Sequence, residues 1–130
     1  MEMLIDFPGG ARVDAHFGAF TVSTDQPPVA SATTTFATFL ASIGTCAGIY
    51  VLGFCQQRGL PIEGIRILQR MVSDPSSGLV CKIELEIQVP PTFPEKYLSS
   101  LIRSAELCAV KKHFEHPPKF DISTAVVEAA

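Results

Sequence analysis

Charge is the scarcest commodity in this sequence. Only 18% of its 130 residues are Asp, Glu, Lys or Arg, and none of these lies between Asp25 and Arg58. The ten basic residues do not outnumber the thirteen acidic ones, leaving a formal net charge of −3. The cationic surface that a phosphate backbone demands is missing, so nucleic acid is not an expected partner. Disorder is excluded from the opposite side: 47% of the residues are hydrophobic and the mean hydropathy is +0.29. Four cysteines are too few for a disulfide-dense scaffold. Met1 to Asp6 offers neither the basic region nor the long apolar region of a secretory signal, which makes a reducing cytoplasm the expected compartment. Cysteines there are reactive, metal-bound or simply buried. GxGxxG, P-loop and serine-elbow patterns are absent, and no cofactor is expected.

The length suits one domain spanning residues 1–130. Its most informative stretch is Phe36 to Cys55, twenty residues without a formal charge. That length could cross a bilayer. Thr38, Ser42, Thr45 and three glycines interrupt it, however, and the rest of the chain reads as soluble strands and an amphipathic helix. The expectation is therefore no membrane span but a helix from about Thr35 to Arg58, closed by Gly59 and Pro61 and buried on every side. One short chain cannot cover such a helix all round, and a second copy would supply the missing cover as an obligate homodimer.

Around this helix the pattern predicts an α+β fold. Residues 3–7 and 11–24 read as short strands with turns at Pro8–Gly10 and near Gly18, followed by a loop from Gln26 to Thr35. Ile65–Val72 and Leu79–Val89 read as a hairpin around Asp74–Gly78, with Cys81 on the inward face and Lys82, Glu84, Glu86 and Gln88 on the outward one. A second helix is expected from Pro94 to just before Pro117, on an apolar stripe that includes Leu101 and Cys108. Phe120–Val127 reads as a last strand.

Cys46 and Cys55 lie on opposite faces of the first helix, about 13 Å apart along its axis, beyond disulfide reach. If the two helices pack together, Cys46 and Cys108 are the pair that could meet; four inert buried thiols is the alternative. His113, His116 and Cys108 offer three metal-ligand types, but no paired CxxC accompanies them and no metal site is expected. His16 reads as an exposed strand residue. Lys111, Lys112 and Lys119 suit the negative end of the second helix.

Four stretches together resemble the OsmC/Ohr family of osmotically induced and organic hydroperoxide resistance proteins. They are GGARVDA (9–15), TDQP (24–27), FLASIGTCAGIYVLGFCQQRGLP (39–61) and AELCAVKKHF (105–114). The resemblance implies an OsmC-like fold, two long central helices wrapped by antiparallel sheets in an intertwined homodimer. It implies thiol-dependent reduction of organic hydroperoxides and hydrogen peroxide. On this sequence Cys46 matches the peroxidatic thiolate and Cys108 the resolving thiol that forms a disulfide with it. Arg12 matches the arginine that lowers the thiol pKa and binds peroxide, supplied by the partner chain. A hydroperoxide substrate and a dithiol reductant such as a lipoyl protein complete the implied partners.

Two positions depart from the family pattern. An Asp or Glu that holds the arginine usually precedes the first cysteine by nine or ten residues; here Phe36 and Ala37 stand there, with Thr35 where Pro is common. Ala109 replaces the Pro that often follows the second cysteine. Without the acid, Arg12 is expected to sample more rotamers unless another carboxylate, such as Asp25, takes over. The alternative function is an OsmC-fold dimer without efficient peroxidase activity, binding an apolar ligand or serving another thiol role.

Overall fold

The structure is a computed structural model, and it describes residues 1–27 and 31–128. The chain opens with a meander of three antiparallel strands, β1 (Leu4–Gly9), β2 (Arg12–Phe17) and β3 (Phe20–Thr24). Gly10 and Gly18 form its two turns at φ 59° and 56°, a left-handed conformation in which a side chain is strained. Asp6 lies opposite Asp14, and Asp14 opposite Ser23, so one face of the meander carries a polar row. Residues 28–30 of the expected loop lie outside the described residues.

The uncharged segment forms α1, Thr35–Gln57. Thr34 caps its start, its hydroxyl accepting the Ala37 N–H at 3.2 Å. At its end Gly59 adopts φ 63°, and the N–H groups of Gly59 and Leu60 return to the carbonyls of Gln56 and Cys55. These two bonds make a Schellman closure, and Leu60 folds back onto the core. Burial differs from the expectation. A single chain buries only the stripe Ile43, Ala47, Val51, Phe54 and Cys55, while Phe36, Phe39, Ile49 and Leu52 remain exposed.

The hairpin β4 (Arg66–Ser73) and β5 (Val80–Gln88) pairs Ile67 with Ile87, and these two join the core against α1. Leu79 and Cys81 lie beside the turn of the hairpin and are exposed, so Cys81 is not the core residue its alternation suggests. Its thiol donates to the Val72 carbonyl at 3.3 Å.

The expected second helix is three pieces. A 3₁₀ turn (Glu95–Tyr97) leads into α2 (Leu98–Ala105), and α3 (Ala109–Glu115) follows after a break. Cys108 makes the break, with φ −47° and ψ 123°, outside the helical region. Leu101 from α2 joins Val51, Phe54 and Cys55 in the central cluster, and Phe114 of α3 stacks at 5.8 Å on Phe39. The last expected strand is absent. Phe120–Val127 has no strand partner within the chain, and Phe120, Ile122, Val126 and Val127 are at least 82% exposed. A strand requires a neighbour to hydrogen-bond, and among the described residues this chain provides none there.

Candidate functional site

The break at Cys108 decides the geometry of the site. The N–H groups at the start of a helix have no intrahelical acceptor. In an unbroken helix those of Ala109 and Val110 would be tied to carbonyls one turn back. Here they lie near the sulfur of Cys46, in the middle of α1, and with the Cys108 thiol they lower its pKa. The two cysteines come together across the α1–α3 contact, 62 residues apart in sequence.

Three donors around one sulfur favour its ionised form. The Val110 N–H acts most strongly, with the Cys108 thiol and the Ala109 N–H in support, and together they hold the Cys46 thiol below its ordinary pKa against a partial desolvation. Cys108 is shifted the other way. It is 1% exposed, and burial pushes its pKa up, as does its contact with Cys46. The pair is thus polarised, with Cys46 the more acidic thiol and Cys108 the less acidic one. Cys55 is fully buried and shifted up by desolvation, with Arg58 opposing. All four cysteines are free.

Beside Cys108 opens an apolar cavity of about 590 Å³, lined by Ile43, Ile83, Leu85, Ile102 and Phe114, with Lys111 among its few charged groups. Phe36 and Phe39 stack 5.8 Å apart on the first turns of α1. The aromatic at position 36 therefore extends an apolar edge where the family pattern places an acid.

Arg12 lies elsewhere within this chain. Its Nη2 donates to Asp14 Oδ2 at 2.8 Å and to Ser23 Oγ at 3.4 Å, and it contributes nothing to the shift of Cys46. The loose arginine expected from the sequence is therefore held by Asp14, two residues along the same strand. Asp25, the other expected clamp, is occupied: it accepts from the N–H and hydroxyl of Ser31, each at 2.8 Å, and these bonds lower its pKa. Its negative charge also feels Arg12. Asp14 escaped the sequence reading although the i, i+2 spacing that places it beside Arg12 on one strand face was available.

The zinc set considered from sequence is dispersed. Cys108 faces Cys46, and the exposed His113 donates Nδ1–H to the Ala109 carbonyl at 2.6 Å. His16 is half-buried rather than exposed, and its ring nitrogens meet Thr21 and Asp6, each at 3.0 Å.

No curated protein matches the sequence. Among solved structures, the fold is shared with a candidate osmotic stress induced and detoxification response protein from Psychrobacter arcticus 273-4, at a TM-score of 0.69 and 16% identity over 85% of each chain. It is shared as well with a hypothetical protein from Aquifex aeolicus VF5, at a TM-score of 0.65 and 14% identity, over 89% of this chain and 87% of that one. Identities this low establish the fold alone. The model of the OsmC-like protein family matches residues 28–123, which include both cysteines of the pair. The chain belongs to the OsmC-like family.

Proposed function

We propose that this protein is a cysteine peroxidase, with Cys46 as the attacking thiolate and Cys108 as the resolving thiol. The observation that carries this reading is the hydrogen-bonded Cys46–Cys108 pair, in which three donors favour the ionised form of Cys46. In the first step the Cys46 thiolate attacks the terminal oxygen of a hydroperoxide. The O–O bond breaks, an alkoxide leaves and takes up a proton, and Cys46 becomes a sulfenic acid. In the second step the Cys108 sulfur attacks the Cys46 sulfur, an S–S bond forms and water departs. An external dithiol then reduces the disulfide and returns both thiols. The apolar cavity beside Cys108 favours organic hydroperoxides over hydrogen peroxide.

The unit that does this is a homodimer. The chain exposes 10071 Å², whereas a folded monomer of its mass exposes about 6,700 Å². Exposed apolar side chains on the outer face of α1, on the β1–β3 meander and along Phe120–Val127 are surface that a second copy would cover. A dimer also permits Arg12 of one chain to approach Cys46 of the other.

Peroxide consumption by the purified protein with dithiothreitol tests the function, using cumene hydroperoxide and hydrogen peroxide in parallel. The wild type should turn over, with the organic substrate preferred, and Cys46→Ser should not. Equal activity in Cys46→Ser would remove the assignment. The second reading, an apolar-ligand-binding dimer without efficient peroxidase activity, is favoured by the engagement of Arg12 with Asp14, and an inactive wild type that binds an apolar fluorophore in the cavity would support it.

A further inference from the structure

The polar face of the β1–β3 meander holds a second cluster, unrelated to the cysteine pair. Asp6 and Asp14 lie directly opposite each other on β1 and β2, and His16 follows Asp14 on the same face. One ligand atom from each of these residues lies within 4.8 Å of the other two. Two carboxylates placed opposite each other on neighbouring strands repel. Here the repulsion is only partly relieved: Arg12 takes Oδ2 of Asp14, and His16 Nε2 meets Oδ1 of Asp6.

Asp14 carries the second observation. Its side chain is 6% exposed, and its Oδ1 is buried without any hydrogen-bond partner. A buried carboxylate oxygen with idle lone pairs is destabilising unless something binds it. The imidazole is also arranged as a ligand. Without an ion, Nε2–H donates to Asp6 Oδ1 at 3.0 Å; because Thr21 Oγ1 lies 3.0 Å from Nδ1, the hydroxyl can accept Nδ1–H in the other tautomer and free the Nε2 lone pair for an ion. A hydrogen bond of this kind to the remote nitrogen is what orients a metal-binding histidine.

We infer that Asp6, Asp14 and His16 form a binding site for a divalent first-row transition ion, with Arg12 and Thr21 as the outer groups that orient Asp14 and His16. Two carboxylates and one imidazole suit manganese, cobalt or zinc, with the remaining positions open to water. The ion would replace the His16–Asp6 hydrogen bond, satisfy Oδ1 of Asp14 and tie β1 to β2. Sequence spacing misses the site because the ligands come from two strands and meet only through their register.

The test uses manganese(II), followed by electron paramagnetic resonance, and cobalt(II), followed by absorption, with the full chain kept reduced by a phosphine. The expected result is one ion per chain and a cobalt spectrum without a thiolate charge-transfer band. His16→Gln and Asp14→Asn, which remove direct ligands, should each weaken binding by at least the roughly 10–100-fold that outer-group changes cause, while the exposed Glu63→Gln leaves it unchanged. Should Asp14→Asn fail to fold, His16→Gln and Asp6→Asn decide the matter. No binding at millimolar ion, binding unchanged in the variants, or a thiolate band would each overturn the site.

Discussion

Replacing Ala109 by proline removes one hydrogen-bond donor from Cys46 and leaves the surrounding backbone in place. Ala109 is the first residue of α3, where proline is favoured because its missing N–H has no intrahelical acceptor. Cys108 before it, at φ −47° and ψ 123°, already has the extended form that proline imposes on its predecessor. The helix should therefore survive with one of its two N–H donors to Cys46 gone. A hydrogen bond to a charged group contributes about 1.5–3 kcal/mol. Val110 remains the stronger donor and Cys46 is partly exposed, so the lower end applies. A loss of about 1.5 kcal/mol lowers the thiolate-to-thiol ratio roughly tenfold at fixed pH. The remaining thiolate is more basic and reacts about threefold faster, given a Brønsted slope of about 0.4–0.5. Alkylation of Cys46 at pH below both pKa values should thus slow by about threefold. At high pH, where both forms are fully ionised, the variant should be about threefold faster. Iodoacetamide labelling across pH, read at the Cys46 peptide by mass spectrometry, would show the two profiles cross. General loosening of the site would shift both limbs the same way. Profiles that superimpose would refute the donor role of Ala109.

The remaining predictions concern stability and the other thiols. Leu101 is 1% exposed in the central cluster, so Leu101→Ala should cost about 2–5 kcal/mol in urea unfolding. Because the Cys46 pKa is lowered on folding, its thiolate stabilises the fold in full above the ordinary thiol pKa, and this contribution fades as pH falls through the lowered value. Cys46→Ser should remove that pH dependence from the unfolding free energy. Cys55, shifted up by burial, should resist alkylation at pH values where Cys46 is already labelled.

Local signals carried most of the fold. The uncharged run and the Gly59–Pro61 ending marked α1 to within a residue, and alternation marked the β4–β5 hairpin. What the sequence concealed was set by contacts at a distance. The break at Cys108 has no glycine or proline to announce it, since Glu106, Leu107 and Cys108 are all compatible with a helix. Beyond the break α3 packs against α1, and the break leaves the N–H groups of Ala109 and Val110 near Cys46. The tail Phe120–Val127 has strand composition but no strand beside it, because alternation reports which side chains point together and not who pairs with them. At the site, the pairing of Cys46 with Cys108 was accessible from the two helix stripes and the family resemblance. The Asp14 clamp on Arg12 needed only the two-residue period of a strand, whereas the Asp6–Asp14–His16 cluster needed the register between two strands.

The central claim is that Cys46 and Cys108 act as one redox couple, and its most direct test is a disulfide map after a single oxidation. Fully reduced protein is treated with one equivalent of cumene hydroperoxide, blocked with an alkylating agent, digested without reductant and analysed by mass spectrometry. The predicted result is one Cys46–Cys108 bridge within a chain, with Cys55 and Cys81 recovered as alkylated thiols, and in Cys108→Ser a trapped sulfenic acid at Cys46. Oxidation appearing first at exposed Cys81, or Cys46 recovered as a thiol while the peroxide is consumed, would contradict the account.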